Sequence, residues 1–140
     1  MKEMTPYLNF NGNCREAMTF YAECLGAELQ IMPFSQAPKD QFNFPEEAKD
    51  KVMHARLTKG SAVLMASDCP PGMPLQQGNN FSVSVNCDGS EEVDRLFAAL
   101  GKNGNAMMPA QDTFWGAHFG MLTDQFGINW MFNFDKPKQA

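Results

Sequence analysis

The sequence predicts an α+β fold of two tandem βαβββ modules whose mixed, curved sheets enclose a cleft. Three observations predict it. A strand-helix-strand-strand-strand order runs through each half, and the first strand and helix repeat at an offset of 75 residues. A stretch rich in proline and glycine, Asp68 to Asn79, separates the halves. A chain of 140 residues holds one substantial core but not two independent domains of ordinary size. Two half-size sheets are therefore expected to pack as a pair rather than bury a face alone. Module one is expected over residues 4–67, the linker over 68–79 and module two over 80–135.

In module one, Thr5 to Asn11 carries Tyr7, Leu8 and Phe10 among polar neighbours and reads as a strand, which Asn11-Gly12-Asn13 breaks. A helix is expected next, with Asn13 as its cap and Glu16 as the capping-box partner. Ala17, Phe20, Tyr21 and Cys24 recur at helical spacing, and Leu25-Gly26 stops it. Ala27 to Phe34 reads as a strand, and Ser35 to Asp50 as a loop with at most one helical turn. Val52 to Leu57 and Ser61 to Ala66 form a hairpin around Thr58-Lys59-Gly60. In module two, Phe81 to Val85 alternates as a strand, and Val93, Leu96, Phe97 and Leu100 make a helical stripe ending at Gly101. Asn105 to Pro109, Ala117 to Thr123 and Ile128 to Phe134 supply the remaining strands.

Composition narrows the function. A hydrophobic fraction of 44% with 19% charged residues is that of a globular protein. The net charge of -5 offers no basic stripe, so neither nucleic acid nor an anionic membrane is an expected partner. No apolar run approaches the roughly 20 residues of a membrane-spanning helix, and the N-terminus lacks a signal-peptide pattern. The expected location is the cytoplasm. Cys14, Cys24, Cys69 and Cys87 show no CxxC spacing and read as reduced structural thiols. Cys14, at a helix start, is the one whose position could favour a thiolate.

Four segments carry a resemblance. TPYLNFNGNC (5–14), FY (20–21) followed by LGAE (25–28), DTFWG (112–116) with FG (119–120), and TDQFG (123–127) with NW (129–130) resemble the PhnB-like branch of the glyoxalase/bleomycin-resistance superfamily, the vicinal oxygen chelate proteins. The resemblance spans nearly the whole chain. It implies the paired βαβββ fold, commonly a homodimer, and a divalent metal held by one ligand at each first strand and one carboxylate in each last strand. Mapped onto this sequence, the first-strand positions fall on Thr5 and Asn80. The last-strand positions, four residues after Gly60 and Gly127, fall on Leu64 and Met131. A hard or borderline dication wants imidazole nitrogen or carboxylate oxygen. Leu64 has no lone pair, Met131 a soft thioether, and Thr5 and Asn80 are neutral. Neither a metal nor another cofactor is therefore expected.

The residues expected to line the cleft are Tyr7, Leu64, Met65, Trp115, Phe119 and Met131. Leu64, Met65 and Met131 would make it apolar and adaptable. Trp115 either closes on a flat ligand by stacking or plugs the core. Arg56 either orients an anionic ligand or pairs with an exposed carboxylate, and Ser67 is a further polar group. His54 and His118 sit on the third strand of each module, where two histidines could bind zinc or act as acid and base. The expected function is capture of an apolar or aromatic small molecule without metal. The alternative is a metal-dependent lyase, isomerase or dioxygenase with a non-standard ligand set. A third class, a purely structural module, requires the cleft to be filled by Trp115 and its neighbours. S-adenosylmethionine binding lacks a glycine-rich loop to support it.

Overall fold

Alternation along each strand decides which face a helix covers and which face stays open. A computed structural model describes residues 1–38, 40 and 44–138. The chain divides into two units, Met1–Gln77 and Gly78–Ala140. Unit one runs β1 (Tyr7–Phe10), α1 (Cys14–Leu25), β2 (Glu28–Pro33), β3 (Val52–Lys59) and β4 (Ala62–Asp68). Unit two runs β5 (Val83–Asn86), α2 (Ser90–Leu100), β6 (Asn105–Asp112), β7 (Ala117–Thr123) and β8 (Asn129–Asp135). Each unit is βαβββ, and the fold is α+β as expected.

The sheets have the same order, β1-β4-β3-β2 and β5-β8-β7-β6, and neither closes on itself. In each, the first strand pairs in parallel with the last and the other pairings are antiparallel. In unit one the buried residues Leu8, Phe10, Ala55, Leu57, Leu64 and Ala66 fall on one face, under the buried side of α1, which carries Cys14, Ala17, Met18 and Tyr21. In unit two α2 brings Val93, Leu96 and Leu100 against Leu122, Trp130 and Phe132. Fully burying each large apolar side chain contributes about 1.5–3 kcal/mol. Gly120 lies where a side chain of α2 presses on the sheet: a Cβ there would stand 2.8 Å from Cδ2 of Phe97 and 3.0 Å from Cα of Ala110.

Helix α1 stops at Gly26 in the left-handed conformation expected of it, φ 64°. Its start differs from the expected capping box. The Asn13 side chain makes no cap hydrogen bond. The Asp68 carboxylate, 2% exposed, does the work from the end of β4: Oδ1 accepts from the backbone N–H of Gly12 and of Cys14, both at 2.9 Å. Oδ2 accepts from Val52 N–H at 2.9 Å. Asp68, expected to open the linker, is thus the last residue of a strand and a buried structural acid. The loop after β2 contains two short 3-10 turns, Phe34–Gln36 and Glu46–Ala48. Part of that expected loop, residues 39 and 41–43, lies outside the described residues.

Unit two has its own buried carboxylate. Asp124, in the turn between β7 and β8, accepts from Phe126 N–H at 2.8 Å and Ile128 N–H at 3.0 Å. Its other oxygen accepts from the Trp130 indole at 2.8 Å. Trp130 and Phe132 lie in parallel planes, 2° apart, within the core. Alternating on β8, they pack the helix-side face of the sheet.

Candidate functional site

The helix-free face of each sheet carries side chains that strand pairing orders and no helix of its own unit covers; some, such as Tyr7 and Arg56, are exposed, whereas Phe119 is buried. In unit one the register sets Gln30, Arg56, Met65 and Tyr7 in one row across β2, β3, β4 and β1. Met32 and His54 form the next row. Tyr7 is 43% exposed, and its hydroxyl lies 3.1 Å from Nδ1 of His54 with the two rings 5.7 Å apart. Tyr7 and Met65, both expected in the cleft, are therefore neighbours on this face.

Leu64 is on the other face, 5% exposed beneath α1. The reason is register. Leu8 pairs with Ala66 and Val83 with Trp130, so the last strands correspond at an offset of 64 residues. Counting from the turn glycines gives 67, and the odd difference moves the mapped side chain through the sheet. On the paired register the counterpart of Met131 is Ser67, a neutral hydroxyl with no greater claim on a dication.

In unit two the helix-free face carries Phe119, Met121 and Met131, with Met121 directly opposite Met131. Trp115 sits in the β6–β7 turn, 53% exposed, and meets Phe119 edge-on with ring centres 5.8 Å apart. Phe114, 98% exposed, meets Trp115 at 90° in turn. Trp115, Phe119 and Met131 thus share one face, and Trp115 does not plug the helix-side core.

The two histidines are not equivalent. His54 projects from the helix-free face of its sheet, whereas His118 lies on the helix-covered face of its own. His118 Nε2 is 2.7 Å from Asp94 Oδ1 on α2 and Nδ1 is 2.8 Å from Asp112 Oδ1 on β6. Lys136 pairs with the other Asp112 oxygen at 2.6 Å. The hydrogen bonds to Asp94 and then Asp112 raise the His118 pKa above its ordinary value. The hydrogen bonds from Lys136 and then His118 lower that of Asp112. Both ring nitrogens of His118 are committed, so the expected joint role of the two histidines in a metal or acid-base site has no geometric support.

The metal implied by the superfamily does not fit this donor set. Thr5 precedes β1 and is half-buried, Asn80 is exposed outside any strand, Leu64 is in the core and Met131 offers a thioether. Among the described residues, no three His, Cys, Asp or Glu are grouped to hold an ion. Cys14 is equally unsuited to nucleophilic work: burial, followed by the charge of Asp68, pushes its thiol up to about 12. Cys87 is pushed up to about 11, mainly by burial. No disulfide joins Cys14, Cys24, Cys69 or Cys87 among the described residues.

The sequence missed the Asp68 cap and the Tyr7–His54 pair. The only signal for the pair was strand parity: Tyr7 alternates with buried Leu8, and His54 precedes buried Ala55.

The chain's relatives agree with this architecture. Residues 2–132 match the family model described as 3-demethylubiquinone-9 3-methyltransferase. Protein YjdN of Escherichia coli K12 is 35% identical, over 96% of this chain and 97% of its own. The crystal structure of PA1353 from Pseudomonas aeruginosa superposes with a TM-score of 0.87 at 46% identity, covering 98% of this chain and all of that one (100%). A PhnB protein from Bacillus cereus follows at 0.75 and 25% identity, over 95% of this chain and 99% of its own. A glyoxalase/bleomycin resistance protein/dioxygenase family enzyme from Burkholderia phytofirmans shares the fold at 0.63 with 15% identity, over 92% and 96%. No helix among the described residues is long and apolar enough to cross a membrane. The repeated βαβββ units, the Phe-Trp-Gly turn and these matches together make the chain a member of the 3-demethylubiquinone-9 3-methyltransferase family, similar to a PhnB protein and sharing its fold with a glyoxalase/bleomycin resistance/dioxygenase family enzyme.

Proposed function

We propose that this protein binds an apolar or aromatic small molecule through the helix-free faces of its sheets, without a bound metal. The observation that carries the reading is Trp115, half exposed in a turn and edge-on to Phe119, beside a sheet face built from Met121 and Met131. An accessible indole supplies a stacking plane at little conformational cost, and thioethers adapt to varied ligand outlines. Tyr7 and Met65 give unit one an analogous surface with a polar edge. We further propose a homodimer in a reducing, cytoplasmic setting, which four cysteines outside any disulfide suit.

The methyl transfer in the family's description finds little to use here. Asn11-Gly12-Asn13 and Asp88-Gly89-Ser90 each carry a single glycine before their helix, not a glycine-rich cofactor loop. The metal-dependent alternative draws no support from the donor chemistry of Thr5, Asn80, Ser67 and Met131.

The test is titration with indole and 2-naphthol followed by calorimetry, alongside elemental analysis of tag-free protein purified without chelator. Saturable binding that weakens about 3- to 10-fold in Trp115→Ala, the worth of one aromatic contact, is expected. No saturable binding by either compound defeats the binding reading. Stoichiometric zinc, nickel or iron defeats the metal-free one. Sedimentation velocity checks the dimer.

A further inference from the structure

We propose that Arg56, with the Tyr7–His54 pair beside it, forms an anion-selective subsite on the helix-free face of unit one that takes the carboxylate of an aromatic or apolar acid. The inference rests on the small-molecule reading above and names the ligand's charged group.

Arg56 lies on β3, an inner strand, flanked across the sheet by Gln30 and Met65. It is exposed, and among the described residues its guanidinium makes no hydrogen bond or ion pair. An exposed arginine ordinarily pairs with a carboxylate, and this face carries one, Glu28. Glu28 stands opposite Thr58, one row from Arg56, and no ion pair joins them. The other neighbours, Gln30, Met32, Met65 and Tyr7, are uncharged. The guanidinium fork is thus presented in the middle of a sheet face, beside an apolar thioether, where a planar carboxylate can be held by two parallel N–H bonds.

His54 adds a second donor. The Tyr7 hydroxyl is the natural donor to a neutral imidazole, and it lies 3.1 Å from Nδ1. With Nδ1 accepting, the ring proton resides on Nε2; in the imidazolium form Nε2 also carries a proton. Nε2 has no hydrogen-bond partner among the described residues. Tyr7 therefore acts as a positioning residue that keeps Nε2–H a donor. Met65, between Tyr7 and Arg56 in the row, offers the apolar floor for the rest of the ligand. Two donors around a thioether floor select an acid over its neutral analogue.

The test exploits the chain's two histidines. Benzoate and its uncharged analogue benzamide are titrated into 13C-histidine-labelled protein, and the Cε1–H signal of each histidine is followed by NMR. Benzoate is expected to shift His54 and leave His118, held by Asp94 and Asp112, in place. It should bind at least about ten-fold more tightly than benzamide. Arg56→Gln should abolish the preference, and Tyr7→Phe should reduce benzoate affinity several-fold, with both variants melting as the parent does. Equal affinities, a preference that survives Arg56→Gln, or shifts confined to His118 overturn the subsite. If indole still binds in a Trp115-dependent way, only the subsite falls. If neither the aromatic compounds nor benzoate bind, the small-molecule reading falls with it.

Discussion

Each unit buries one aspartate whose two oxygens accept three N–H groups, yet the two are built differently. Asp124 collects its donors from residues two, four and six positions on, all within one turn and the strand it starts. Asp68 collects its donors from residues 56, 54 and 16 positions back, at the entry to α1 and the start of β3. The chemistry is shared; the chain length it closes is not. A carboxylate with local donors fixes a turn. One with distant donors fixes the relation of a helix to a sheet.

The largest effect should come from breaking the distant tie. Asp68→Ala leaves the Cys14 and Val52 N–H groups buried without an acceptor, and the Gly12 N–H partly so. A loss of about 3–5 kcal/mol is expected from orphaned donors at about 1–3 kcal/mol each. Urea denaturation measures it, and a loss below about 1 kcal/mol would mean that water replaces the carboxylate. Asp124→Ala should cost less, about 2–4 kcal/mol, because a turn can open its N–H groups to solvent. Stopped-flow mixing sharpens the contrast. Local contacts tend to form before distant ones, so Asp124→Ala should slow refolding whereas Asp68→Ala should mainly speed unfolding. The reverse assignment would show that α1 docks before the β7–β8 turn forms.

Gly120→Ala is expected next, at about 1–3 kcal/mol, because the added methyl meets Phe97 and the β6 backbone together. An unchanged melting point would mean that α2 shifts freely, against the tight packing described above.

The smallest effect is pH-dependent and belongs to unit two. His118 has a raised pKa in the folded state, so its stabilisation is complete below the ordinary value of about 6.5 and is lost as pH rises through the raised value. The urea midpoint of the parent should therefore fall over that interval, and His118→Gln should flatten the dependence. A parallel pH profile in the variant would assign the titration elsewhere. Asp112 has the opposite sign: its lowered pKa makes its contribution present above about 3.9 and lost as pH falls through the lowered value.

Much of the architecture was legible because it is written in local pattern. Strand parity, the helical stripe at Val93, Leu96 and Leu100, and the stop at Gly26 need only neighbouring residues. What was illegible depends on pairing across tens of residues. Leu64 was placed on the wrong face because counting from a turn glycine does not know how the hairpin registers against β1. Asp68 looked like linker because it begins a run of Cys, Pro and Gly, and its donors lie elsewhere in the chain. Tyr7 and His54 are 47 residues apart and meet only once β4 separates their strands. The fold reports itself locally; the site does not.

The parallel pairing of β1 with β4 carries a consequence for synthesis on the ribosome. A nascent chain that has emerged only through β3 holds the first strand, α1 and a β2–β3 hairpin, but neither the strand that joins β1 to them nor the acid that satisfies the helix entry. Both arrive together, in the seven residues Ala62–Asp68. Unit one should thus become protease-resistant in a single step as Asp68 clears the exit tunnel, rather than gradually with length.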